Sequence, residues 1–149
     1  MKLSTKGRYG LKAIFDLALN SKNGPVALTH IADRQNLSLG YLEQLTAQLR
    51  KAGLVKSIRG AKGGYLLAKD PMDITVGDVI RTLEGPLYLS ECIETDDDSS
   101  CGNAEYCVTK IIWEKVRDNF NDLLDSISLQ DMIDDHNKLH NIDTTTIKI

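Results

Sequence analysis

The spacing of apolar residues switches from helical to alternating at Gly53, and that switch narrows the fold more than any other feature of the chain. From Thr5 to Asn20, Leu11, Ile14, Phe15 and Ala18 fall at i, i+3, i+4 and i+7, the stripe of an amphipathic helix. Tyr9, Ala13 and Leu17 widen the stripe, so this helix is expected to be covered from more than one side. Asn23-Gly24-Pro25 breaks it. Val26-Ala27-Leu28 reads as a short extended piece, and Thr29 as the N-cap of a brief helix through Gln35. After a turn at Asn36-Leu37, Ser38 caps a further helix whose Leu39, Leu42, Leu45 and Leu49 point inward and which Gly53 stops. Leu54 to Ile58 then alternates as a strand, Gly60, Gly63 and Gly64 turn the chain, and Tyr65-Leu66-Leu67 returns as its partner. Three helices and a two-stranded hairpin describe a winged helix-turn-helix.

Beyond Asp70-Pro71 the helical period resumes. Thr75 caps a helix with Val76, Val79, Ile80 and Leu83 on one face, closed by Gly85-Pro86. Residues 90–107 lack periodicity. A longer helix over about 108–127 carries Thr109, Ile112, Trp113, Val116, Phe120, Leu123, Leu124 and Ile127 at helical spacing, and Ser128 caps a last short helix containing Leu129, Met132 and Ile133. The tail from Asn141 is expected to fray. The chain thus divides into a winged helix-turn-helix over 1–70 and, over 71–149, a linker helix, a loop and two helices. At 149 residues these form one compact domain, mainly α with a small β-hairpin wing.

Charge is distributed unevenly over that plan. Through Asp70 the chain carries 12 Lys/Arg and 4 Asp/Glu; from Pro71 it carries 6 and 17. A cationic winged helix-turn-helix points to a polyanion, with the acidic half facing elsewhere. In this fold the second helix of the pair lies in the major groove, here residues 39–52. It leaves Gly40, Tyr41, Glu43, Gln44, Gln48 and Lys51 outward, with Ser38 at its entrance. Gln44 suits a bidentate pair with adenine, and Glu43 accepts from a cytosine amino group. At the hairpin tip Arg59 and Lys62 supply charge for phosphates or a narrow minor groove. The glycines there are no nucleotide cradle, because no Gly-Lys-Ser/Thr occurs and no helix follows.

All three cysteines, Cys92, Cys101 and Cys107, lie in one 16-residue segment, separated by eight and then five residues. There is no Cys-x-x-Cys pair, so a zinc ribbon or thioredoxin-type site is a poor fit. Clustering outside any core helix favours ligands over packing, and soft thiolates suit zinc, copper(I) or an iron–sulfur cluster. No apolar run reaches the roughly 18 residues of a membrane span, and the N-terminus has no secretion-signal core, so a cytoplasmic protein with no membrane partner is expected.

These residues resemble a known family. Met1-Lys2-Leu3-Ser4-Thr5-Lys6-Gly7-Arg8-Tyr9-Gly10, Tyr41-Leu42-Glu43-Gln44-Leu45, Arg59-Gly60, Gly63-Gly64-Tyr65-Leu66-Leu67 and the three-cysteine loop before a helix with Trp113 are similar to the IscR-like winged-helix regulators, the group of IscR, NsrR and CymR. The similarity spans about residues 1–140 and is closest to the IscR branch. It implies a homodimer joined through the long helix at about 108–127, and a double-stranded DNA operator read by helix 39–52 and the wing, with Arg59 in the minor groove. It also implies a 2Fe–2S cluster on Cys92, Cys101 and Cys107, with cluster-assembly proteins as its source. Such regulators sense cluster status and control cluster-assembly or stress genes.

Two positions depart from the IscR pattern. IscR-type proteins place a histidine ligand three residues after the last cysteine, where this chain has Lys110, which is protonated at neutral pH. Some relatives use a carboxylate of the first helix, but Arg8 stands there. Asn103, Asp96 to Asp98, Glu105 or a nonprotein group remain as fourth ligand, with Glu105 preferred. Gly40 replaces a polar residue near the bases. An enzyme is a poor reading, because His30, His136 and His140 are dispersed and no nucleophile–base motif is present. A cluster-free cysteine thiol redox regulator and a winged-helix protein-interaction module are the alternatives.

Overall fold

The computed structural model describes residues 4–87, 93 and 107–147. Its helices are α1 (Thr5–Asn20), α2 (Leu28–Gln35), α3 (Leu39–Lys51), α4 (Val76–Glu84), α5 (Val108–Ser126) and α6 (Leu129–Ile147), with strands β1 (Val55–Ile58) and β2 (Gly64–Leu67) between α3 and α4. Short 3-10 turns at Ser21–Asn23 and Pro71–Asp73 link them. The strands pair antiparallel, Val55 opposite Leu67 and Ile58 opposite Gly64. This is the mainly helical architecture with a β-hairpin wing that the periodicity implied.

α1 is the central element. Its Ala13, Ile14, Leu17 and Ala18 are buried, and one hydrophobic cluster joins them to Ile31, Leu42, Leu45, Leu49, Val79, Leu83, Leu129 and Ile133. The C-terminal helices therefore share the core of the helix-turn-helix. α1 lies so close to α4 that a methyl group on Gly10 would overlap the Leu83 side chain. The two helices are also stitched end to end: Glu84 accepts from the Ser4 hydroxyl and, at 2.9 Å, from the Gly7 amide. An anionic acceptor at a helix N-terminus satisfies donors that have no partner within the helix and complements its dipole.

A buried carboxylate fixes α2 against α1. Asp16, on α1, accepts from Arg34 Nη2 at 2.6 Å and Nε at 2.9 Å, from Gln35 at 2.9 Å and from Asn20 at 3.2 Å. Burial raises the Asp16 pKa, but the hydrogen bonds from Arg34 and Gln35 and the Arg34 charge outweigh it and hold the carboxyl below its ordinary value. The same contacts raise Arg34.

Three local expectations need correction. α2 begins at Leu28 with Ala27 as N-cap, not at a Thr29 cap. The cause is nonlocal: Val26 exchanges two backbone hydrogen bonds with Tyr65 of β2, at 3.0 and 2.8 Å, which orients the chain into the helix two residues early. That approach leaves no room for a side chain at residue 64, where a Cβ would run into the Val26 carbonyl, and Gly64 has φ of +150°. The last helix is not short. Ser128 and Asp131 cap it reciprocally, at 3.0 and 2.9 Å, and it runs 19 residues to Ile147, past the Asn141 expected to fray. Edge-on contact of Phe15 with His136 carries its packing beyond Ile133. Leu39, third, is not inward but 40% exposed.

α4 is framed by the anticipated Thr75 cap, in a box with Asp78 at 3.0 Å each way. It anchors α5 through Arg81, which bonds Asn121 at 3.2 Å and pairs with Asp125. The turn from α5 to α6 is held by Val76 N–H to Ile127 (2.8 Å) and Leu129 N–H to Ile74 (2.9 Å). Otherwise α5 is bare: no residue of it is buried, and Val108, Ile111, Ile112, Trp113, Val116 and Leu123 are all exposed. Among the described residues no helix is long and apolar enough to cross a membrane.

The clamp gives a pH-resolved prediction. A carboxyl whose folded pKa lies below its unfolded value of about 3.9 contributes stability above that pH and loses it as the pH falls through the folded value. Asp16→Asn is therefore expected to cost about 1–3 kcal/mol at pH 7. In urea titrations the gap between variant and wild type should close as the pH drops below about 4.

Candidate nucleic-acid interface and thiolate site

The helix-turn-helix pair is α2 and α3. Ser38 caps α3, its hydroxyl oxygen accepting from the Tyr41 amide at 3.2 Å. Leu42, Leu45, Thr46 and Leu49 are buried, which turns the opposite face outward. Glu43, Gln44, Gln48 and Lys51 are all exposed on it, and Ser38 is exposed at its start. None of these side chains makes a charge pair among the described residues. The first turn of α3 is open: an added methyl on Gly40 would touch nothing within 4 Å.

Tyr41, read from the sequence as outward, is half-buried. Its ring meets the Tyr9 ring edge-on at 6.3 Å and its hydroxyl lies 3.4 Å from the Thr5 hydroxyl, so it braces α3 against the start of α1. Tyr9 itself lies under Arg8 and Lys12, at 5.9 and 5.7 Å. Sequence reasoning missed two exposed residues of α3: Leu39 in the first turn, and Arg50 beside Lys51 in the last. Leu39 was hidden by its match to the helical stripe. Arg50 was legible as a cation one position after the buried Leu49. The wing carries Arg59 and Lys62, both exposed, at the tip between β1 and β2. Apart from the exposed Leu39 and Ile58, α3 and the wing thus present mainly polar and cationic side chains, with Glu43 as their exposed carboxylate.

Of the cysteines, Cys107 is described; Cys92, Cys101, Asn103, Glu105 and Asp96 to Asp98 lie outside the described residues. Cys107 is the N-cap of α5, half-buried, with Sγ 3.0 Å from the Thr109 hydroxyl. That hydrogen bond above all, then the Lys110 amide and the Lys110 charge, holds the thiol below its ordinary value. A helix N-terminus beside a cation is the environment that makes a cysteine a thiolate, the form that binds metals and reacts with oxidants. Lys110 sits one turn into α5, mostly shielded, with its ammonium 4.0 Å from Glu114. His136 and His140 meet edge-on along α6, and His30 is exposed on α2. Among the described residues no three His, Cys, Asp or Glu side chains gather around a metal position.

Residues 3–135 match the family model described as Rrf2, iron-dependent transcriptional regulator. The chain belongs to the Rrf2 family. Its similarity to CymR of Bacillus subtilis is 47% identity over 132 residues, 89% of each chain. To IscR of Escherichia coli O1:K1 it is 41% over 139 residues, 93% of this chain and 84% of that one. The solved structure of T. potens IscR superposes with a TM-score of 0.74 at 53% identity, covering 91% and 88% of the two chains. This Rrf2 protein is accordingly a transcriptional regulator and not an enzyme, as the sequence implied. Both the IscR and the CymR branches lie near, so the chemistry of the cysteine segment is what separates their readings.

The α3 cap is directly testable. Ser38→Ala is expected to lower the unfolding free energy by about 1 kcal/mol. It should also raise amide exchange in the first turn of α3, measured by NMR, while leaving α6 unchanged.

Proposed function

We propose that this Rrf2 protein is a cytoplasmic homodimer that binds double-stranded DNA through α3 and the wing and carries a 2Fe–2S cluster on Cys92, Cys101 and Cys107. The observation that carries the reading is Cys107: the thiol is held toward thiolate at the head of α5, the helix with the bare apolar face. A ligand there stands at the junction of the cysteine segment with a dimer contact. The residue types fit the group, since iron–sulfur clusters take thiolate ligands, and the bound cluster would supply sensitivity to iron and oxidants. Burying the stripe from Ile111 to Leu123 against a second copy removes the exposed apolar surface that a lone chain would carry.

For the reading surface, Gln44 and Glu43 are the proposed base readers, Gln48 and Lys51 flank them, and Arg59 and Lys62 meet phosphates or the minor groove. Ser38 keeps its hydroxyl proton for a phosphate while capping, and Tyr41 contributes as a brace with an edge near the backbone. Residues 1–70 act as the reader and 71–149 as linker, sensor and dimer contact. Cluster-assembly proteins are the proposed source of the cluster and, with stress genes, its regulatory target.

A second reading is favoured by Lys110. The ammonium stands where IscR-type relatives have a ligand, and it stabilises a free Cys107 thiolate, as a cluster-free thiol regulator requires. The two readings part on one preparation. Protein purified without oxygen from iron-replete cells should be red-brown, with iron and acid-labile sulfide, and should lose the colour in Cys92→Ala, Cys101→Ala or Cys107→Ala. Colourless protein free of iron and sulfide favours the thiol reading.

With Glu105 as preferred fourth ligand, the cluster is expected to be labile and of low potential, because anionic ligands and neighbouring carboxylates disfavour reduction. Lys110→His should raise the potential and slow loss in air. On DNA, binding should weaken by orders of magnitude between low and physiological salt if each protomer meets about 3–5 phosphates. Arg59→Ala should weaken all sites, whereas Gln44→Ala should relax preference at one base pair by about 1–3 kcal/mol in retardation assays.

A further inference from the structure

A cavity of about 290 Å³ lies between the wing hairpin, the end of α1 and α6. Leu66 of β2 and Lys56 of β1, paired across the hairpin, form one wall, and Gln130 and Ile133 of α6 form the other. Pro71 contributes to the lining from one linker and Lys22 from another, just beyond α1. The volume is at the small end of ligand sites, which run roughly 300–1,000 Å³ and combine apolar walls with a few charged groups.

Its charge is one-sided. Both ionisable lining residues are lysines, no carboxylate lines the cavity, and neither lysine is paired among the described residues. The Gln130 amide is engaged, donating to Asp134 at 3.0 Å. Two free ammonium groups beside apolar walls are complementary to an anion with a hydrophobic body. A zwitterionic amino acid fits poorly, because its own ammonium would face Lys22 and Lys56 without a carboxylate to receive it. Inorganic phosphate leaves the apolar walls uncovered.

From this cavity we propose a second ligand site, for a small monocarboxylate with an apolar body of about four to six carbons. The carboxylate bonds Lys22 and Lys56, and the chain lies against Leu66, Pro71 and Ile133. The site is independent of the cysteines. It joins the hairpin that carries Arg59 and Lys62 to α6, so occupancy fixes the base of the wing against the C-terminal half. A ligand that prefers this arrangement shifts the wing toward it.

The test is titration of the full-length protein with hexanoate by calorimetry and by 15N NMR. Saturable binding is expected, with shifts at the amides of Leu66 and Ile133 and slower hydrogen exchange in β1 and β2. Lys22→Gln/Lys56→Gln, two surface changes, should keep the wild-type melting temperature and weaken hexanoate at least about tenfold, as loss of charge-assisted bonds implies. Hexanol, leucine and inorganic phosphate should each bind at least about tenfold more weakly than hexanoate. The proposal is overturned by absent or unsaturable hexanoate binding, by undiminished binding in the double variant, or by any of the three control ligands binding as tightly.

Discussion

The approach of α1 to α4 is the constraint on which the rest of the molecule depends. Only a residue without a side chain at position 10 allows Leu83 to lie against α1, and the Glu84 carboxylate then falls on the first turn of α1. Because α1 also meets α2, α3, β2 and α6, this one contact aligns the helix-turn-helix and the wing with the C-terminal half. α4 in turn holds α5 through Arg81, so a chain of packed elements runs from the base of α5 to α3. Tyr41 closes that chain at the far end, resting on Tyr9 and Thr5 beside the residues that Glu84 caps.

That continuity ties α3 to the C-terminal half of the chain. α3 is not an appendage on a flexible linker: its buried leucines belong to the same cluster as Leu129 and Ile133 of α6. The polar clamp at Asp16 adds direction to the packing, since hydrogen bonds from both Arg34 and Gln35 restrict the relative placement of α1 and α2. Apolar contacts alone tolerate sliding more readily than such a hydrogen-bonded set.

Much of this was legible in the sequence because it is local. Ser38 and Thr75 cap the helices they precede, the glycines between Ile58 and Tyr65 turn the hairpin, and the outward positions of α3 follow from its leucine spacing. What escaped depends on contacts distant in sequence. The start of α2 is set by Val26 pairing with Tyr65, the length of α6 by support from Phe15, and the half-burial of Tyr41 by Tyr9. Nothing in the local pattern marks Asp16 as a clamp, since Arg34 and Gln35 come from the next helix. For the candidate site, the three cysteines were plain from spacing, but the lowered Cys107 thiol needed the cap geometry that brings Thr109 and Lys110 to its sulfur. The cavity behind the wing has no signature in the sequence, because its walls come from five separate stretches of chain.

Lys110 sharpens the chemical question. Its charge adds to the Thr109 hydrogen bond in lowering the Cys107 thiol, which suits thiolate chemistry without metal, while under the proposed cluster reading the fourth ligand comes from another residue. Under the proposed function, the state of the cysteine segment is felt at α3 and the wing. The most direct measurement is operator affinity of one anaerobic preparation before and after its cluster is removed, with Cys107→Ala alongside. At least one operator is expected to change affinity by about tenfold or more, a coupling of about 1.4 kcal/mol, and Cys107→Ala is expected to match the cluster-free form. Equal affinities for every operator in all three forms would contradict it.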